Sequence, residues 1–165
     1  MTSTLPITLR PSTEADLPLL KRIYNGTRQE ELASVPWTDE EKEAFLTMQF
    51  NAQHVYYQNN YAGAAFDIVE CEGLPVGRLY LHQSPEEVRI IDIAILPEHR
   101  GQGFGTALLN EVISDAATVS KPVTIHVEKY NPALRLYQRL GFIEVGGNDI
   151  YLLMERQPQT ANLSL

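Results

Sequence analysis

Between Leu96 and Leu109 the chain reads LPEHRGQGFGTALL, with Gly101, Gly103 and Gly105 on alternate positions between Arg100 and an apolar helical run. Glycine inside a helix costs up to ~1 kcal/mol relative to alanine, so three at a helix start call for a reason. Unpaired N–H groups in a first helical turn carry partial positive charge, and missing β-carbons let an anion approach the backbone. The run Arg100, Gly101, Gln102, Gly103, Phe104, Gly105, Thr106 therefore suits a diphosphate, with Arg100 offering a charge-assisted contact and Thr106 a hydroxyl. On spacing alone a ligand-free strand-to-helix turn competes with that reading. Two common phosphate loops do not match: the Walker pattern needs a lysine where Gly105 stands, and GxGxxG needs glycine or alanine where Thr106 stands.

Other residues could move protons. Tyr137, in NPALRLYQRLGF, carries a phenol that titrates near ~10 when unperturbed, so at neutral pH it stays protonated and can donate. Ala133, Leu136, Tyr137 and Leu140 are also helically spaced, and on that pattern alone Tyr137 reads as a core aromatic. His126 and Glu128 alternate onto one face of a strand, and His126 is either a proton relay or a hydrogen-bonded histidine within the sheet. Asp92 interrupts an apolar run and needs a partner, an ammonium or a buried arginine such as Arg89 or Arg78. Asn131 precedes a proline and a helical pattern, the position of a helix cap.

The elements that hold these residues follow from periodicity. PITLR reads as a first strand, and STEADLPLLKRIYN as a helix capped by Thr13 with Asp16. GTRQEELASVP reads as a loop. TDEE forms a capping box, Thr38 with Glu41, for a second helix whose apolar face is Phe45, Met48, Ala52 and Val55. AGAAFDIVE, LPVGRLYLHQ and VRIIDIAIL are strands of an antiparallel meander, separated by the turn signals CEG and SPEE. After the glycines come a helix with Leu108, Leu109, Val112, Ile113 and Ala116 on one side, the strand PVTIHVE, and a short helix opened by Asn131 and Pro132 and ended by Gly141. FIEV and DIYLLME close the chain as an antiparallel pair. The sum is an α+β fold with helices on both faces of the sheet and a strand–helix–strand crossover near its middle.

At 165 residues and 44% hydrophobic content the chain suits one domain over 1–156, with an aperiodic tail over 157–165. A net charge of −8 with scattered basic residues argues against a nucleic-acid groove. Cys71 is alone, which fits a reducing cytosol, and no leader or membrane-spanning run is evident, so the expected location is cytoplasmic.

Arg100, Gly103 and Gly105 fit the pattern Arg/Gln-x-x-Gly-x-Gly/Ala and, with LYQRLGF downstream, resemble the GCN5-related N-acetyltransferase (GNAT) family over residues 6–155. The resemblance implies a three-layer fold with a mixed, mostly antiparallel twisted sheet and a central splayed parallel pair. It also implies acetyl-coenzyme A as donor, with no metal. The pantetheine arm would bond to the backbone of Ile93, Ala94 and Ile95, the pyrophosphate to Arg100 through Thr106, and Asn131 would contact the cofactor. Asn131 to Tyr137 is one position shorter than the usual family spacing. Tyr137 matches the general acid, while His126, Asp92, Glu128 and water stay open as the base. A carboxylate that some members carry is replaced here by Arg89. The acceptor, a small-molecule or peptide amine, would lie against Thr27 to Trp37, where Arg28, Glu30, Glu31 and Trp37 stand, and against the last two strands. Dimers are frequent in such families. Two other functions are consistent with the same residues: a non-catalytic acyl-coenzyme A-binding domain, and a transferase for another acyl group.

Overall fold

A computed structural model describes residues 5–158. The strands are β1 (Ile7–Pro11), β2 (Ala65–Cys71), β3 (Leu74–Gln83), β4 (Val88–Ile95), β5 (Val123–Glu128), β6 (Ile143–Gly147) and β7 (Tyr151–Arg156). The helices are α1 (Leu17–Ala33), α2 (Asp39–Asn60), α3 (Phe104–Thr118) and α4 (Leu134–Arg139). The strands follow the order β1-β2-β3-β4-β5-β7-β6 in a mixed, mostly antiparallel sheet whose β4/β5 pair is parallel, as expected from the crossover. Residues 159–165 of the expected tail lie outside the described residues. No described helix is long and apolar enough to cross a membrane.

The chain divides into two compact units. One holds Pro6–Leu79 and Ala94–Gln102. Here Thr13 opens a 3₁₀ turn before α1 and donates its N–H to Asp16 at 2.8 Å. Arg10 on β1 bridges the Asp16 carboxylate and Glu70 on β2, each at 2.9 Å. Ile23 and Leu19 of α1 pack with Ala94 and Leu96. The expected loop after Asn25 is instead the last turns of α1. Gly26 sits within the helix, and its bare Cα serves packing: a β-carbon there would lie 2.7 Å from the Pro97 ring. Thr38 and Glu41 form the expected reciprocal box at the start of α2, at 2.9 and 3.1 Å. The apolar face of α2 differs from expectation. Phe50 is the buried residue, meeting Tyr24 at 6.0 Å, while Met48 and Val55 are 56% and 55% exposed. Phe50 lies on the side of the helix opposite the predicted stripe, and its contact with Tyr24 of α1 marks that side as the buried one.

The second unit holds Tyr80–Ile93 and the chain from Gly103 onward, with Leu5. Leu108, Leu109, Val112 and Ala116 of α3 are buried as predicted, and α3 packs on β5. Val123, Ile125 and Val127 of β5 are buried, with Ile125 paired to Met154 of β7. Phe142 and Tyr137 complete this core.

Candidate active site

Tyr137 is set by how α4 ends. Gly141 takes φ +92°, and its N–H donates to Gln138 O while Phe142 N–H donates to Tyr137 O, both at 3.0 Å. This Schellman ending brings the residue after the glycine against the last helical turn. The Phe142 ring meets the Tyr137 ring edge-on, centroids 5.8 Å apart, and Tyr137 is left only 5% exposed. Burial, helped by the negative charge of Asp92, pushes its phenol up to about 12. At neutral pH the side chain is a proton donor, and it does not compete as a base.

β4 and β5 pair only over Val88–Val123, Arg89–Thr124 and Ile90–Ile125 among the described residues, and past Ile90 no ladder joins them. A parallel pair that stops so early leaves backbone groups of both strands available along the gap. Register and alternation put Arg89, Ile91 and Ile93 on the face of Thr124, His126 and Glu128, and Asp92 on the face of Ile125. Asp92 and His126 thus stand on opposite faces, and only Asp92 acts on Tyr137.

Arg89 donates from Nε to Thr124 Oγ1 at 2.7 Å, pairs with Glu87 at 3.2 Å, and places Nη1 3.2 Å from His126 Nδ1. A guanidinium has no acceptor, so Nδ1 accepts and the imidazole proton sits on Nε2. Burial first, and the Arg89 charge second, hold His126 below its usual range. The ring presents a donor, not a base, on its open side.

The glycines at the head of α3 have different origins. Gly101 and Gly103 take φ +77° and +87°, and Gly103 is the N-cap, so backbone conformation alone accounts for both. Gly105 sits in ordinary helix, and a β-carbon on it would meet nothing within 4 Å. Neither folding nor packing asks for glycine there. Among the described residues no acceptor faces the N–H groups of Gly105 and Thr106, while Ala107 N–H returns to Gly103 O at 3.0 Å. Bare Cα, open space and unpaired amides at a helix start fit a diphosphate.

In the other unit Arg100 donates Nε to Ile95 O and Nη2 to Gly26 O, both at 3.0 Å. Its guanidinium ties α1 to the end of β4. Leu96 N–H donates to Val76 O of β3 at 2.8 Å, so the neighbouring Ile95 turns its backbone groups to the other edge of β4. Arg28 of α1 reaches Tyr24 Oη at 3.2 Å and Glu31 at 2.9 Å, Glu30 is exposed, and Trp37 stacks edge-on to Phe45 at 5.3 Å. Asn131 caps a turn: its Oδ1 accepts Ala133 N–H at 2.8 Å. α4 starts at Leu134, later than Asn131 and Pro132 suggested, because that Asx turn precedes it.

Ile93, Asp92, Gly103–Thr106, His126, Glu128, Asn131 and Tyr137 therefore belong to one unit, and Ala94, Ile95, Arg100–Gln102 and Thr27–Trp37 to the other. Sequence reasoning did not find Phe142 as the partner that fixes Tyr137, although LGF carries the signal: glycine past a helix end followed by an apolar residue. Nor did it find that Arg89 sets the tautomer of His126, a cross-strand contact that needs the register.

A family model described as the acetyltransferase (GNAT) family matches residues 21–142. The chain belongs to the GNAT acetyltransferase family. This GNAT protein is 28% identical over 149 residues to a spermidine N(1)-acetyltransferase of Vibrio cholerae, covering 85% of this chain and 80% of that one. It is 32% identical over 113 residues to an N-alpha-acetyltransferase of Sulfurisphaera tokodaii, covering 54% and 68%. Its fold matches that of the PaiA N-acetyltransferase of Thermoplasma acidophilum, solved in complex with coenzyme A, with a TM-score of 0.69, 15% identity and coverage of 92% and 98%. The ribosomal-protein-S18-alanine N-acetyltransferase of Escherichia coli matches with a TM-score of 0.65, 19% identity and coverage of 96% and 98%. This GNAT protein is an acyltransferase.

Proposed function

We propose that the protein transfers an acetyl group from acetyl-coenzyme A directly to a primary amine. The observation that carries this reading is Gly105, a glycine in a helical turn where folding requires none, with open space over its Cα. The amides of Gly101, Gln102, Gly103, Phe104, Gly105 and Thr106 would hold the diphosphate, with the Arg100 guanidinium, engaged by Ile95 O and Gly26 O, contributing charge and fixing the turn. Of Ile93, Ala94 and Ile95, the first and last turn backbone groups to the edge of β4 that β5 leaves open and would hold the pantetheine amides, while Ala94 faces β3 and the Ile95 carbonyl already accepts from Arg100. Asn131 keeps its side-chain amide nitrogen for the cofactor while its Oδ1 caps the turn. Both curated relatives are named for acetyl transfer to nitrogen.

The amine lone pair attacks the thioester carbonyl, the C–S bond breaks, and the Tyr137 hydroxyl gives its proton to the leaving thiolate. The proton released by the acceptor nitrogen restores the phenol through water. A phenol pushed up to about 12 is a weak acid for an ordinary thiol of ~8.5, but the desolvation that raises it raises a thiolate formed beside it too. His126, with Nδ1 held by Arg89, stays outside the proton path.

Coenzyme A should raise the melting temperature in a saturable way, because a ligand at a hundred times its Kd stabilises by about 2.7 kcal/mol. No shift at millimolar coenzyme A contradicts the proposal. Release of free thiol from acetyl-coenzyme A with an amine acceptor separates an enzyme from a domain that only binds.

A further inference from the structure

α2 is amphipathic on two sides. On the inner side Phe50 meets Tyr24, the His54 ring stacks on Phe50, and Gln53 accepts from buried Arg78 at 2.8 Å. On the opposite side Phe45, Met48, Ala52 and Val55 recur at intervals of three, four and three, the spacing of a coiled-coil seam. Met48, Ala52 and Val55 are exposed, Phe45 is half-buried, and Tyr56 flanks the line with 56% of its surface open. Single exposed hydrophobics are ordinary on a protein surface, but a continuous line of them is not. The charge pattern points the same way. Residues 44–60 hold no Asp, Glu, Lys or Arg, in a chain that is 21% charged. A helix face kept in water normally carries such residues, whereas the core of an interface is depleted of them and enriched in Tyr, Phe and Met. The acidic residues of α2 are gathered at its start, with Asp39, Glu40 and Glu41 in the first turn and Glu43 paired to Lys21 of α1.

This face suits a second copy of the chain in one orientation. A parallel pair would set two acidic first turns side by side. An antiparallel pair, with its two-fold axis level with position 50, sets Phe45 opposite Val55 and Met48 opposite Ala52 of the second copy, large against small in each layer. It also lays each acidic first turn beside Gln58 and Asn59 of the other copy, whose amides can donate to carboxylates, and it opposes the two helix dipoles. The exposed side chains supply roughly 500 Å² from each copy, the low end for a specific interface, which sets the expected dissociation constant at about 10–100 µM.

We propose that the outer face of α2 is a homodimer interface, in which two copies pair antiparallel through Met48, Ala52 and Val55. The interface is independent of the acetyl-transfer reading.

Sedimentation velocity of the full chain tests it. The sedimenting mass should rise from one copy toward two over about 2–300 µM, a span that brackets the expected constant. Ala52→Glu should keep the chain monomeric throughout, because it buries a carboxylate in the seam of each copy. Its melting temperature at the dilute end should stay within about 2 °C of the wild type, since position 52 is exposed in the single chain. Val55→Glu should behave alike. A short bismaleimide, in a Cys71→Ser background, reads the orientation. Asn51→Cys, nearly level with its own copy across the axis, should link two chains, whereas Asn59→Cys, about 27 Å from its copy along the seam, should not. A chain that stays monomeric at ~300 µM overturns the proposal and leaves the face to another occupant. A dimer that both glutamate variants leave intact overturns it as well, because the copies then meet elsewhere. Linking through Asn59→Cys and not through Asn51→Cys overturns the antiparallel arrangement.

Discussion

The Phe142 amide donates to the Tyr137 carbonyl at 3.0 Å, and the two rings stand edge to face with centroids 5.8 Å apart. Helix ending and side-chain burial are thus one event: the cap that stops α4 also seals the phenol from water. Burial raises a phenol that is already protonated at neutral pH to about 12, so it stays in the state a general acid needs.

Tyr137→Phe keeps the ring contact and removes only the proton. It should leave coenzyme A binding unchanged and lower kcat about a hundredfold, the lower range for a general acid. An unchanged rate would remove Tyr137 from the mechanism.

Gly141→Ala attacks the cap. Its φ of +92° is strained for alanine, and the new β-carbon would lie 2.7 Å from Arg156 Nε. Denaturant unfolding should show a loss of about 1–3 kcal/mol.

His126 offers a pH test. Its folded pKa lies below the unfolded value of 6.5, so its contribution to stability is present above 6.5 and is lost as pH falls through the folded value. Arg89→Gln should move the imidazole up toward 6.5 by NMR titration, because one of the two lowering causes is gone. His126→Gln should leave the limiting rate within about threefold, since Nδ1 is already engaged.

Asp16 responds at lower pH. Its bond to Arg10 first, and the Thr13 amide next, hold the carboxyl at about 2 against an ordinary 3.8. Its stabilisation is present above 3.8 and is lost as pH falls through about 2. Asp16→Asn should flatten that part of the stability profile and lower stability at neutral pH.

The sheet elements were legible because each strand is bounded by turn residues: LPVGRLYLHQ is β3 residue for residue. The helix caps at Thr13 and Thr38 were legible for the same local reason. What escaped depends on distant partners. Asn25–Gly26 looks like a helix stop, yet α1 continues to Ala33, and the glycine is there for the close approach of Pro97. The face of α2 was misread because its pattern admits more than one stripe, and contact with Tyr24 chooses Phe50. At the site, Tyr137 and the glycine turn were visible as motifs. The separation of Asp92 from His126 was not, since it needs the β4/β5 register.

The central claim is that position 105 is kept small for a ligand and not for the fold. Calorimetric binding of coenzyme A to a Gly105 series, with thermal melts of the free proteins, tests it most directly. Gly105→Ala should melt no lower than the wild type, gaining up to ~1 kcal/mol, because a β-carbon meets nothing there, and Gly105→Leu should stay folded. Coenzyme A affinity should stay within about threefold for alanine and fall more than about thirtyfold for leucine, whose side chain fills the space assigned to the diphosphate. A well-folded Gly105→Leu protein that binds coenzyme A as tightly as the wild type would contradict the account.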